Sequence, residues 1–369
     1  MIRNSLLLAG AVSLLAFPAH SQFSMSPLTT FSPNSDGWFA PSEGGYGFLG
    51  IANNERGLTY GHGKLYLVSR SGGNNIRRLD AASGADLGSP LNVTGITGGT
   101  FAVNKVAVAG DGAIYVGNLA TGPTAFRIYS WANDVAAPVT NYLGVPLTGA
   151  RVGDSTLGVT GAGSSTRLYS GFANAPGVAG NNGYAVIDPT LGTATAVGFV
   201  GTPPVAGDFR LGLTIGPSGQ VWGNQGSQVL RETTFSGTSG TLLGTATGIF
   251  SPAERAMAFG VFNGLSILAT ISTGDSTVRI YDASNPLALT QLGSGNNTLG
   301  VLTGNVNATG DVAFGDATPT GDGRVSVALY AMSSNQGIQA FTVIVPEPAT
   351  GALLGLGLAA LIGSRRFRK

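Results

Sequence analysis

The chain has 369 residues, of which 43% are hydrophobic and only 10% charged, with 59 glycines and no cysteine. Roughly a quarter of an ordinary soluble domain is charged, so the Lys, Glu and Arg that dress exposed helices are missing; the Gly, Asn and Asp content points to short strands joined by tight turns. The lack of cysteine excludes disulfides, thiolate nucleophiles and Cys-ligated metal sites. The net charge of +1 conceals an acidic middle, because residues 22–345 hold 14 Lys and Arg against 17 Asp and Glu, which excludes the basic footprint of a nucleic-acid binder.

Residues 1–21 read as a secretory signal peptide: Arg3 supplies the positive end, Ser5–Phe17 an apolar run, Pro18 a helix break, and Ala19-His20-Ser21 small residues at the −3 and −1 positions of a cleavage site. The mature chain then begins at Gln22. A retained signal anchor is the other reading, opposed by a run shorter than the ~20 residues a span needs.

From residue 57 onward a hairpin-like unit recurs. Its first strands fall within 57–63, 106–112, 157–163, 211–219, 256–264 and 312–323, each leading into a Gly-rich turn. Its second strands carry a bulky anchor at Tyr66, Tyr115, Tyr169, Trp222 and Leu268, spaced by 49, 54, 53 and 46 residues, with Arg324–Tyr330 as a less regular sixth. Asp111-Gly112, Asn263-Gly264 and Asp322-Gly323 are hairpin dipeptides, since both turn positions favour positive φ. Third strands follow at Ile76–Asp80, Phe126–Trp131, Tyr184–Asp188, Val229–Thr234, Val278–Asp282 and Ile338–Val343, and fourth strands where Leu-Gly recurs, at Leu87-Gly88, Leu143-Gly144, Leu243-Gly244 and Leu292-Gly293. Four strands per unit predict an all-β chain folded as a β-propeller of six blades over residues 22–345, with seven open if residues 23–50 hold another. The sixth unit lacks a clear fourth strand, and Tyr46–Ile51 is the expected donor that closes the ring. A pair of β-sandwiches or a β-solenoid would share some of these signals.

Little of the inventory carries chemistry. Past residue 21 the only histidine is His62, expected in an exposed hairpin turn, so triads and imidazole metal sites lack their central residue. No phosphate loop or His-Glu-x-x-His is present, and no cofactor is implied. Asp316 and Asp322 offer oxygen ligands without calcium-loop spacing. Trp131 and Trp222 fall in strands and read as packing, whereas Trp38 lies in a loop-rich stretch and is the tryptophan expected at the surface. The charged residues cluster at the starts of the inner strands: Glu55-Arg56, Lys105 after Asn104, Asp154, Asp208 with Arg210, Glu254-Arg255 and Asp311. In a propeller these would ring one mouth of the central channel. One reading is a polar ligand site for sugars or a cation; the other is ion pairs that tie blades together. A carboxylate-dependent polysaccharide hydrolase or lyase remains open, since it needs only two Asp or Glu facing each other roughly 5–9.5 Å apart.

The tail, residues 346–369, combines Pro346-Glu347-Pro348, an apolar run from Ala349 to Gly363, and a basic cluster at Arg365, Arg366, Arg368 and Lys369. This order resembles the PEP-CTERM sorting signal of Gram-negative bacteria. The resemblance implies processing by an exosortase-type membrane protease, a transient anchor in the inner membrane, and delivery to the cell surface or an extracellular polysaccharide matrix. The physical reading agrees: the prolines break secondary structure, the run inserts, and the basic cluster stays cytoplasmic. An uncleaved membrane anchor is the alternative. Gly355-Leu356-Gly357 is not read as a nucleotide loop, because no strand–turn–helix unit surrounds it. The expected protein is an exported scaffold or binding module without a chemical step.

Overall fold

The computed structural model describes residues 23–173, 182–199, 209–224, 229–299 and 304–347. Two short strands come first, β1 (Ser24–Pro27) and β2 (Trp38–Phe39). The repeats then form six blades. Blade 1 holds β3 (Glu55–Gly61), β4 (Lys64–Ser69) and β5 (Asn75–Asp80); blade 2 holds β6 (Phe101–Val108), β7 (Ile114–Thr121), β8 (Phe126–Trp131) and β9 (Val139–Gly144). A linking strand, β10 (Arg151–Val152), pairs with both β7 and the second strand of blade 3. Blade 3 is β11 (Gly158–Thr160), β12 (Arg167–Ala173), β13 (Gly183–Asp188) and β14 (Thr193–Phe199); blade 4 is β15 (Gly212–Ile215), β16 (Val221–Asn224), β17 (Val229–Ser236) and β18 (Ser239–Thr247). Blade 5 is β19 (Glu254–Phe262), β20 (Leu265–Ser272), β21 (Val278–Asp282) and β22 (Thr290–Gly295), and blade 6 begins with β23 (Gly310–Pro319), β24 (Val325–Ser333) and β25 (Ile338–Val345). Within each blade successive strands are antiparallel. Among the described residues no α-helix is present, only two 3₁₀ turns at Glu43–Gly45 and Gly163–Ser165.

The innermost strands β3, β6, β11, β15, β19 and β23 surround a central channel of about 350 Å3. Burial is organised between blades. Among the described residues six apolar clusters form, one at each blade-to-blade interface, from Tyr66 and Val68 of blade 1 against Trp131 of blade 2 round to Tyr330 of blade 6 against Leu58 and Leu65 of blade 1. A strand sandwiched between two neighbouring blades buries both faces, which is why sequences such as IYVGNLAT in β7 are apolar almost throughout. Each fully buried Leu, Phe or Ile in these clusters contributes about 1.5–3 kcal/mol. Two glycines allow the inner strands to converge. A Cβ on Gly57 would lie 3.0 Å from the backbone of Lys105, and one on Gly212 only 2.0 Å from the Arg255 carbonyl, so each brings its blade onto the backbone of the next.

Four sequence expectations need correction. The strand that completes blade 6 is β1, with Ser24 opposite Ile344 and Pro27 opposite Phe341. Tyr46–Ile51 forms no strand; Phe48 and Leu49 instead bury themselves between blades 6 and 1. Leu87-Gly88 forms no fourth strand either: blade 1 has three strands, extended by a single bridge between Leu79 and Asp86. In blade 5 the residue that corresponds to Tyr66 is Ile267, two residues past the hairpin partner, whereas Leu268 faces blade 4. A shift of one residue on a strand reverses the face it presents. Among the dipeptides, Asn263-Gly264 forms the two-residue turn with φ values of 51° and 77°, and His62-Gly63 does the same with 50° and 75°; the Asp111 and Asp322 turns are longer, with the positive φ carried by glycine.

Candidate functional site

At the start of each inner strand the backbones converge on the axis, and charged side chains there have little room to reach solvent. Asp154 occupies the hub. Its carboxylate accepts Arg151 Nε and Nη2 at 2.9 and 3.0 Å and Arg210 Nη1 at 2.6 Å, and lies 3.5 Å from Arg56 Nη2. Arg56 is 2% exposed and donates through Nε to Asn104 Oδ1, whose amide in turn donates to the Gly153 and Asp154 carbonyls. Lys105, 1% exposed, donates to the carbonyls of Arg56 and Gly310 and to Asp311 Oδ2, which also accepts the Leu58 N–H. Blades 1, 2, 3, 4 and 6 are therefore joined through one hydrogen-bonded set containing Arg56, Lys105, Asp154, Arg210 and Asp311.

Glu254 stands apart, inside blade 5. It is fully buried, accepting Tyr281 Oη at 2.6 Å, Arg279 Nη1 at 3.2 Å, the Ser251 N–H, and the Thr270 hydroxyl. Glu55 accepts the Gly50 N–H at 2.8 Å through one oxygen, while its other oxygen is buried with no hydrogen-bond partner. Spare donors also remain: Arg56 Nη1, Arg210 Nε and Arg255 Nε are buried without partners. Asp208 lies outside the described residues, as do Pro348, Arg365 and Arg366. Sequence reasoning missed Arg151 and Arg279. The spacing Arg151-x-x-Asp154, and the likeness of Arg279-Ile280-Tyr281 in blade 5 to Arg127-Ile128-Tyr129 in blade 2, are the signals that could have found them.

The titration behaviour follows these surroundings. Burial alone would raise Asp154, but hydrogen bonding and charge from Arg151, with Arg210 and Arg56, hold it below the ordinary carboxyl value. Burial pulls the Lys105 ammonium down and pushes the Asp311 carboxyl up, each opposed by its partner. Burial also raises Glu55, against backbone donors that lower it. A carboxyl raised on folding binds protons that the unfolded chain does not, so its charge opposes folding above the raised value and the penalty fades on acidification toward the ordinary value of 4.5. Glu55→Gln is accordingly expected to raise the Tm at pH 8, with a smaller gain at pH 5. Equal gains at both pH values in thermal melts would contradict the assignment.

The opposite mouth carries the hairpin turns. His62 is exposed there, Asp316 accepts the Tyr60 hydroxyl at 2.5 Å, and Asp322 pairs with Arg324 and Thr320. Among the described residues no three His, Asp or Glu gather as a metal site would require. Trp131 and Trp222 are buried between blades. Trp38, expected at the surface, is half-buried in β2, where it pairs with Gln339 and donates to the Gln336 carbonyl at 2.8 Å. Both ends of the described ring leave on this hairpin side. Ser24 lies across from Ile344 at the edge of blade 6, and β25 runs into Pro346 with no linker. Asn263 Nδ2, at the blade 5 turn, donates to the Pro346 and Gly323 carbonyls at 3.0 Å each. The Glu347 carboxylate covers Gly323 so closely that a Cβ there would meet it at 1.6 Å. Among the described residues no helix is long and apolar enough to cross a membrane.

Comparison with known proteins bears on both the tail and the ring. Residues 345–369 match the family described as the PEP-CTERM protein-sorting motif. No curated protein matches the chain. Among solved structures, a DUF4623 family protein from Bacteroides eggerthii DSM 20697 superposes with a TM-score of 0.63 at 17% identity, covering 90% of this chain and 78% of that one. The Malassezia sympodialis allergen Mala s 1 gives 0.49 at 10% identity, over 79% and 92%. The six-bladed β-propeller lectin of Aleuria aurantia gives 0.47 at 11% identity, over 81% and 97%. The motif implies export and processing by an exosortase-type protease. The chain is a six-bladed β-propeller that carries a PEP-CTERM protein-sorting motif.

Proposed function

We propose that the protein is a binding or scaffold ring of the cell surface or extracellular polysaccharide matrix of a Gram-negative bacterium, without a chemical step of its own. Residues 1–21 serve as the signal peptide, 22–345 as the ectodomain and 346–369 as the sorting segment. One observation carries the reading: the carboxylates of Asp154, Glu254 and Asp311 are engaged by arginine, lysine, tyrosine and backbone donors inside the ring, so Asp154 and Asp311 serve to tie blades together and Glu254 to brace blade 5. The test is incubation of the exported protein with acidic and neutral polysaccharides. Saturable retention without new reducing ends or unsaturated products is expected. Turnover that disappears in Glu254→Gln or Asp208→Asn, with folding intact, would overturn this reading in favour of a carboxylate-dependent hydrolase or lyase.

The position of the tail supports an orientation. With Ser24 and Val345 both on the hairpin-turn side of blade 6, a precursor anchored through residues 349–363 presents that side to the membrane and the charged mouth to the exterior. The docked Pro346 and Glu347 must leave the ring surface before a protease can close around them. Asn263→Ala removes the side-chain donor to Pro346; at about 1 kcal/mol per hydrogen bond, tail processing is expected to speed up roughly fivefold. Pulse-chase conversion of precursor to mature form measures this, and an unchanged rate would show that docking does not gate cleavage. Mass spectrometry of the native protein is expected to find Gln22 at the amino terminus and no basic cluster at the other end.

A further inference from the structure

On the charged side of the ring, a cleft of about 600 Å3 opens between blades 1 and 2, within the range of roughly 300–1,000 Å3 that small-molecule sites occupy. Its walls include Arg70, Phe101 and four amide side chains, those of Asn53, Asn54, Asn74 and Asn307. Arg70 follows the end of β4 and Phe101 begins β6, so two rigid strands set their positions. The Arg70 guanidinium lies 3.5 Å from the centre of the Phe101 ring, an attractive cation–π contact. Its Nη2 donates to the Asn53 carbonyl at 2.7 Å, while Nε and Nη1 are buried with no hydrogen-bond partner. Burial pulls this arginine down to about 10, with Arg56 adding to the effect, and it remains a cation at neutral pH. Phe101 is 38% exposed although it sits at a strand start beside a buried core.

The constellation combines three features that seldom serve packing: an unsatisfied guanidinium, an aromatic ring left partly exposed to solvent, and a rim of amides that offer both donors and acceptors. A buried N–H without an acceptor costs on folding what a ligand oxygen could return on binding. Arginine matches carboxylate geometry, the exposed part of the Phe101 ring suits the C–H face of a sugar ring, and amides suit hydroxyl groups, which both donate and accept. We propose that this cleft binds a carboxylated sugar, a hexuronate unit of an acidic polysaccharide, with the carboxylate on Arg70, the ring against Phe101 and the hydroxyls on the asparagines. This rests on the reading of the protein as a polysaccharide-binding ring, and it supplies the ligand class.

The test is calorimetric titration of the full chain, in mild detergent, with tetragalacturonate, tetramannuronate, cellotetraose and inorganic phosphate. At least one uronate oligomer is expected to bind, more weakly at high salt, while cellotetraose and phosphate do not. Arg70→Gln and Phe101→Ala are each expected to weaken binding at least tenfold with melting curves unchanged, and Arg70→Lys, which keeps the charge but loses the planar fork, to fall between. If Arg70→Gln alone fails to fold, the Phe101→Ala result decides. Cellotetraose binding as tightly as the uronates, or phosphate binding that depends on Arg70, would overturn the ligand class. Uronate binding unaffected by both variants would overturn the cleft and leave the wider reading standing. Retention of no polysaccharide at all by the unaltered protein would sink both.

Discussion

Asp154→Ala is expected to destabilise the ring by about 3–5 kcal/mol, the range for removing one partner of a buried ion pair. Arg151 and Arg210 are 36% and 26% exposed, so water will screen most of their loss. Arg56 is the exception. It is buried beneath three blades, already has one nitrogen without a partner, and would keep only Asn104 as a side-chain acceptor. Asp154→Asn keeps the shape and one acceptor oxygen, and should cost less. The pH dependence has a definite sign. Because the folded-state value lies below the ordinary 3.8, the stabilisation by Asp154 is present above 3.8 and is lost as the pH falls through the folded value. Thermal melts of wild type and Asp154→Asn should therefore separate at neutral pH and converge in strong acid. A Tm unchanged by Asp154→Ala at pH 7 would mean that the blades do not depend on this hub.

Deleting residues 23–29 is the second change with a large expected effect. Strand β1 closes blade 6 through four residue pairs, and Leu28 adds a further hydrogen bond to the Ala340 carbonyl. Each lost backbone bond costs on the order of 1 kcal/mol. The removal of Phe23 and Met25 would also uncover part of the cluster between blades 5 and 6. The damage extends beyond energy, because residues 341–344 of β25 would become an unpaired edge with an apolar face, a template for intermolecular pairing. The truncated protein is expected to melt several degrees lower and to aggregate at concentrations where the parent is monodisperse. Light scattering and melts measure both, and a truncated ring that stays stable and soluble would show that closure lies elsewhere. Pro27 is tolerated in β1 because this is an edge strand, where a missing N–H costs least.

The inner, second and third strands of the blades were legible because turn chemistry and apolar runs repeat with a period near fifty residues, and local signals suffice where a strand is buried on both faces. The closing strand was not. SMSP in β1 is too short and too polar to announce itself, and it becomes a strand only because β25 offers an unpaired edge. Leu268 reads as the anchor of blade 5 for a related reason: apolar residues stand on both sides of it, and only the hairpin register separates the face toward blade 4 from that toward blade 6. At the charged mouth the residues could be named from their place at strand starts, yet their partners could not. Arg56 and Asp154 are about a hundred positions apart in the chain, and Lys105 and Asp311 about two hundred.

The linear order of residues was enough to determine the sorting motif, the repeat and the class of fold, because each is carried by contiguous residues whose physical chemistry needs no distant partner. Which strand shuts the ring, which carboxylate is shared among three arginines, and which arginine is left with unsatisfied donors beside Phe101 were decided only in three dimensions. Those outcomes depend on strands from different blades converging at one axis, where the space and the acceptors available to a side chain are set by residues remote in the chain.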